Sequence, residues 1–230
     1  MQLAHSNQTN RLDGLTLGIL GLGVVGAVVG FIMAMGSPPD QSQGYVARIF
    51  HLHVPMAWMA YLASFAALGY SVAYLVRRRA HHDRVAAATV EVGLIFMALA
   101  LLTGMLWARP TWGVYWDWEP RLTTTAILFA IYVGYVVVRG AIEDPELRAK
   151  AAAGVAILGS INVPISYMSV KWWRSLHQTQ SIDLTTGKIN VDAAILIPML
   201  VNLAAFTLLF IGLVRLRGII AAREAAKEEA

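Results

Sequence analysis

Six long apolar runs constrain this chain more than any other feature. They are residues 15–35, 54–76, 85–107, 122–138, 151–170 and 193–214. A hydrocarbon core about 30 Å thick needs roughly 20 apolar residues in helical form to cross it. Glu91 is the one acidic or basic side chain within the six. In lipid every backbone polar group must be satisfied within the protein, so runs of this kind fold as helices. Charged residues make up only 14% of the chain, against about 25% in ordinary globular proteins, too few to cover a water-facing surface. The expected fold is an all-α integral membrane protein, one domain over residues 1–230 built as a bundle of six transmembrane helices. The polar stretch 1–14 does not resemble a cleaved signal, and the first run is read as a retained span.

The connections assign an orientation. Arg11, Arg77, Arg78, Arg79, Arg84, Arg139, Arg148, Lys150, Arg215, Arg217, Arg223 and Lys227 fall on one side, and Arg48, Arg109, Arg121, Lys171, Arg174 and Lys188 on the other. The positive-inside rule puts the first group, with both termini, in the cytoplasm. Connections 36–53, 108–121 and 171–192 then face outward, as expected for a multi-pass protein of a bacterial or archaeal plasma membrane. A net charge of +4 follows from the same bias and gives no reason to expect nucleic acid. The chain has no cysteine, so it supplies neither disulfides nor thiol chemistry.

The outward side carries the unusual residues. The segment 107–125, W-A-R-P-T-W-G-V-Y-W-D-W-E-P-R-L-T-T-T, holds four of the seven tryptophans. Helical geometry there would put Trp112, Tyr115 and Trp116 on one face as an aromatic shelf. An interfacial aromatic belt is the simpler explanation, but the density favours a planar apolar ligand. His51 and His53 stand at the mouth of the second span and His177 just beyond the fifth. Imidazole is an axial ligand of haem iron, aromatic faces stack on a flat macrocycle, and arginines pair with carboxylates. His51 and His53 point about 200° apart on a helix, so one iron takes only one of them. Pro55 favours a helix beginning near His53, which is preferred as ligand, with His51 a solvated neighbour and Met56 core packing. Arg121 is the preferred partner for a propionate. Trp58 is assigned to packing, and Glu91 to an internal partner or a functional role. Pro164 and Pro198 are expected to bend spans five and six.

G-L-G-V-V-G at Gly21–Gly26 matches a dinucleotide-binding pattern, but it lies inside an uninterrupted apolar run. Its overlap with Gly26-x-x-x-Gly30 suits close helix packing instead.

W-G-V-Y-W-D-W-E-P-R-L-T-T resembles the signature of the tryptophan-rich (WWD) haem-handling family of cytochrome c assembly proteins, W-G-x-x-W-x-W-[DE]-x-R. Length and six-span layout are similar to its CcmC branch, the haem exporter proteins C. The flanking H-V-P at His53 and W-W-R-S-L-H-Q at His177 match that family's two external histidine ligands. The resemblance implies noncovalent haem b at the outer, periplasmic face, with His53 and His177 on the iron. It implies cofactor contacts from Trp112, Gly113, Trp116, Trp118, Glu119 and Arg121, Glu119 standing where the family usually has aspartate. It further implies delivery of haem to the membrane-anchored chaperone CcmE, with the ABC-type partners CcmA and CcmB and the small protein CcmD, and no enzymatic activity. The alternative is a membrane oxidoreductase of cytochrome b type, which normally holds haem on histidines deep within spans.

Overall fold

The computed structural model describes residues 13–228, so His5 and Arg11 lie outside the described residues. Six helices follow one another: α1 Gly14–Gly36, α2 Phe50–Arg77, α3 Ala80–Trp112, α4 Pro120–Ala141, α5 Pro145–Trp172 and α6 Ala193–Glu228. Each is long and apolar enough to cross a membrane. The chain is an all-α membrane bundle. A 3₁₀ turn, Tyr45–Ile49, leads into α2, and a two-stranded antiparallel ribbon, β1 Ile182–Asp183 and β2 Lys188–Ile189, sits between α5 and α6.

Helix ends follow local chemistry. The Asp13 carboxylate accepts from Thr16 N at 2.6 Å and caps α1, and Asp144 caps α5 by accepting from Leu147 N at 2.6 Å. Arg78 takes a left-handed conformation (φ 53°) that ends α2 after Arg77. Several helices overrun the apolar runs that announce them. α3 begins at Ala80 and continues to Trp112, because charged and aromatic side chains at a span's end remain good helix formers and reach the interface. α2 begins at Phe50 rather than near His53, since the 3₁₀ turn hands the chain directly into it. Pro55, Pro110, Pro164 and Pro198 all lie inside helices that run on through them.

α2 and α3 occupy the middle of the bundle. Gly93 allows them to touch: a Cβ there would stand 2.6 Å from Ala63 Cβ. On one flank Ala60, Ala67, Val90 and Met97 pack with Leu128, Tyr132 and Tyr135 of α4 and Ala152, Ala156 and Val163 of α5. On the other, Met59, Ala63, Val92 and Phe96 meet Ala205, Phe206 and Phe210 of α6, and Met56 joins this cluster as packing. The glycine run of α1 is a packing seam. A Cβ at Gly23 would lie 2.8 Å from Leu209 Cγ, and one at Gly30 would lie 2.4 Å from Asn202 Oδ1. Close helix approach, not a nucleotide, explains that motif. Glu91 has an internal partner, Arg217 of α6, at 2.5 Å.

Candidate functional site

The upper end of the bundle, where α2 starts and α3 ends, is built around Trp107. Its ring is 9% exposed, packs with Phe50 and Met199, and donates from Nε1 to Gln43 Oε1 at 2.7 Å. The His53 ring meets it edge to face, centroids 5.7 Å apart. Gly104, one turn earlier on α3, leaves room for that imidazole. A Cβ at Gly104 would stand 3.0 Å from His53 Cε1.

His177 arrives from the loop after α5, and three contacts position it. Ser175 Oγ donates to the Glu119 carboxylate, the His177 backbone N–H donates back to Ser175 Oγ at 3.0 Å, and the ring meets Trp112 edge to face at 6.4 Å. The rest of that loop is tied to α5. Tyr167 donates its hydroxyl proton to Ile182 O at 3.1 Å and accepts from Leu184 N at 2.9 Å, and Lys171 bonds Asp183 at 2.8 Å. Lys171 also holds the Asp183 carboxyl well below the usual carboxylate range.

Both histidines line one cavity. Its walls come from α2 (Phe50, Trp58, Tyr61), α3 (Gly104, Trp107), α4 (Arg121, Thr125), Tyr167 of α5 and the loop from His177 to Ile182. It encloses about 950 Å³, counted out to its open mouth. A smaller space of about 370 Å³ shares His53, Gly104, Trp107 and His177 and adds Thr111 and Trp112. Mostly apolar walls with a few convergent polar groups are typical of a cofactor pocket. Trp58, assigned from sequence to packing, both packs in the core and forms part of this wall.

The tautomers of the two rings follow from their partners. Thr103 Oγ1 lies 2.7 Å from Leu99 O and 3.1 Å from His53 Nδ1, and with its proton on that carbonyl it accepts from the imidazole. His177 Nδ1 stands 3.0 Å from Gln178 O, and a carbonyl can only accept. In that arrangement each ring carries its proton on Nδ1 and leaves the Nε2 lone pair free. That is the form in which histidine binds a metal, with an orienting partner on the other nitrogen. Burial, followed by the nearby Arg121 charge, lowers the pKa of His177 to about 4, so its ring is neutral near pH 7.

Arg121 donates from one terminal nitrogen to Tyr167 O at 2.9 Å, while its Nε is buried without a partner. It faces the cavity as a cation with bonding capacity to spare. Glu119 is 5% exposed; one carboxylate oxygen accepts from Leu122 N, capping α4, and the other from Ser175. Among the described residues its partners are thus protein groups, and it ties the tryptophan-rich loop to the His177 loop.

Three expectations are corrected. The tryptophan-rich segment is not one helix: Gly113 adopts φ 81°, ends α3 after Trp112, and residues 114–119 form a loop. Trp112, Tyr115 and Trp116 therefore do not share a helical face. Trp116 and Trp118 pair edge to face at 5.4 Å on the loop, with Trp118 78% exposed, and neither lines the two cavities. His51 is not solvated. It is 2% exposed, 3.1 Å from Ser37 Oγ, on the other side of α2 from His53. The stretch before α2 folds over it, anchored by Arg48 donating to Ser37 O at 2.9 Å. Third, α2 starts before His53, as described above. Trp107 was read only as a member of the tryptophan-rich segment, and Thr103 and Gly104 went unrecognised in the sequence reading of the site. Their signal was a polar residue and a glycine, side by side, one turn before the tryptophan that opens the aromatic stretch.

Residues 1–230 match the family model described as heme exporter protein C. The chain belongs to the heme exporter protein C family. Relatives of that name agree along most of their length. The protein from Bradyrhizobium diazoefficiens is 42% identical over 194 residues, 83% of this chain and 72% of the relative. Those from Paracoccus denitrificans and Escherichia coli K12 are 35% and 36% identical, covering 84% and 86% of this chain and 79% and 80% of theirs. Membership in the heme exporter protein C family accords with the tryptophan-rich motif and with the six-span layout.

Proposed function

We propose that this chain binds haem b as noncovalent cargo between His53 and His177 and presents it for c-type cytochrome biogenesis. The observation that carries this reading is the pair of histidines, from two separate elements, each with a partner at Nδ1 and both lining one mostly apolar cavity. The donor set fits haem iron, which accepts neutral imidazole on its axial positions. Bound haem brings a redox-active iron; the residues described here hold and orient it. Arg121 has an unpartnered Nε, which supports a role for its guanidinium in pairing with a propionate. Trp112 forms part of the wall, and Trp116 and Trp118 offer further aromatic surface on the adjoining loop. Gly113 turns the chain from one to the other, and Glu119 fixes both loops. With no cysteine in the chain, thioether attachment belongs to another protein.

The histidine end lies on the periplasmic side in this reading, because the opposite end carries the arginine-rich connections. Haem held there is available to the chaperone CcmE, with CcmA, CcmB and CcmD as partners. The role is transfer rather than catalysis. Absorption spectra and haem staining of protein purified from haem-replete cells test the proposal. A low-spin spectrum, with stain lost on denaturing electrophoresis, supports it. Protein free of haem, or haem that stays with the polypeptide, contradicts it.

A further inference from the structure

A second large cavity lies at the opposite end of the bundle, where α2, α4 and α6 end and α3 and α5 begin. It encloses about 1860 Å³ out to its mouth, and its walls are dominated by charged side chains and alanines. Most of the charges cancel within the wall. Arg139 grips Asp83 with two bonds at 2.6 and 3.0 Å, Arg217 bonds Glu91 and Glu224 at 2.5 and 3.2 Å, and Arg78 lies 4.0 Å from Glu146.

Two lining arginines are left over. The side chains of Arg84, in the first turns of α3, and Arg148, in the first turn of α5, form no ion pair or hydrogen bond among the described residues. Both are only partly exposed, and Arg148 Nε is buried with no partner. A buried guanidinium N–H without an acceptor is costly, and the planar fork of arginine matches the oxygens of phosphate. No histidine or methionine lines the cavity, so it offers haem iron no ligand.

We propose that this vestibule binds a phosphate-bearing ligand through Arg84 and Arg148. Its depth, at the mouth of a helix bundle beside arginine-rich connections, is where basic pockets take the headgroups of anionic lipids. A soluble phosphate presents the same oxygens. The site is separate from the histidine cavity and does not depend on what that cavity holds.

The test uses the full chain in detergent, with native mass spectrometry reading retained lipid. Phosphatidylglycerol and phosphatidylcholine are supplied in equal amounts, with inorganic phosphate as competitor. Wild type is expected to retain phosphatidylglycerol selectively. R84Q/R148Q should weaken retention by on the order of tenfold or more. R77Q/R79Q removes the same charge from exposed positions outside the cavity and should retain lipid as wild type does. Displacement of the lipid by inorganic phosphate identifies a soluble phosphate as an occupant; resistance to displacement identifies the lipid. Circular dichroism checks folding. If R84Q/R148Q loses helicity, R84K/R148K, which keeps the charge without the fork, is expected to show a smaller but measurable loss. Binding unaltered in the folded cavity variant, an equal loss in R77Q/R79Q, or wild type that retains neither probe overturns the proposal.

Discussion

Thr103 Oγ1 sits 3.1 Å from His53 Nδ1 and 2.7 Å from Leu99 O, so with its proton on that carbonyl it accepts from the imidazole N–H. That arrangement leaves Nε2 of His53 free. Removing the hydroxyl by Thr103→Val takes away that partner and loosens the orientation of the ring. Loss of such an orienting partner typically weakens metal binding by about 10- to 100-fold. Haem titration of the purified variant should show a loss in that range, and Thr103→Ser should recover most of it. Unchanged affinity in Thr103→Val would show that His53 does not need the Thr103 hydroxyl.

Gly104 tests the space behind the same ring. A Cβ 3.0 Å from His53 Cε1 is tighter than a relaxed contact, so Gly104→Ala should push the imidazole by a few tenths of an ångström. Helicity should persist, since alanine is the better helix former by about 1 kcal/mol. Haem occupancy should fall and any bound haem should gain high-spin character. A variant with normal spectra would place the ligand ring elsewhere.

Glu119 and Ser175 separate stability from positioning. Glu119→Ala removes the α4 cap as well as the tie to the His177 loop, and loss of a cap typically costs about 0.5–2 kcal/mol. Ser175→Ala cuts only the tie. Thermal unfolding should therefore drop more in Glu119→Ala, while haem affinity should fall in both. Equal stability losses would mean that the cap contributes nothing measurable.

The pH dependence follows from His177. Its pKa of about 4 in the folded chain lies below the ordinary 6.5, so between those values the unfolded chain binds a proton that the folded one excludes. Stability from this group is complete above pH 6.5 and declines as pH falls toward 4. An NMR titration of haem-free protein should show the His177 ring protonating near 4. Arg121→Gln should move that midpoint upward, because the guanidinium charge is the second cause of the shift. A wild-type midpoint near 6.5 would contradict the seating of the ring in the cavity beside Arg121.

Much of this arrangement was legible in the chain. Lipid admits few structures, so each apolar run marked a helix, and His53, His177 and Arg121 stood on one side by connection order alone. Helix ends were less legible: Arg109 and Pro110 look like a boundary, yet α3 continues to Trp112 until Gly113 turns it. The burial of His51 depends on how residues 37–49 fold back over α2, a contact that no periodicity announces. Glu119 stood out within the motif, but its bonds to Leu122 and Ser175 join positions 3 and 56 residues away, and the longer link is invisible in sequence. Thr103 and Gly104 were masked for a similar reason: their partner, His53, lies on another helix.

The central claim is that His53 and His177 together ligate one haem. The direct measurement is the absorption spectrum of haem-loaded His53→Gly and His177→Gly, each recorded before and after adding imidazole. Each variant should lose the low-spin spectrum and regain it with imidazole, which fills the vacated axial position. A His177→Gly protein that keeps its low-spin spectrum and does not respond to imidazole would contradict the account.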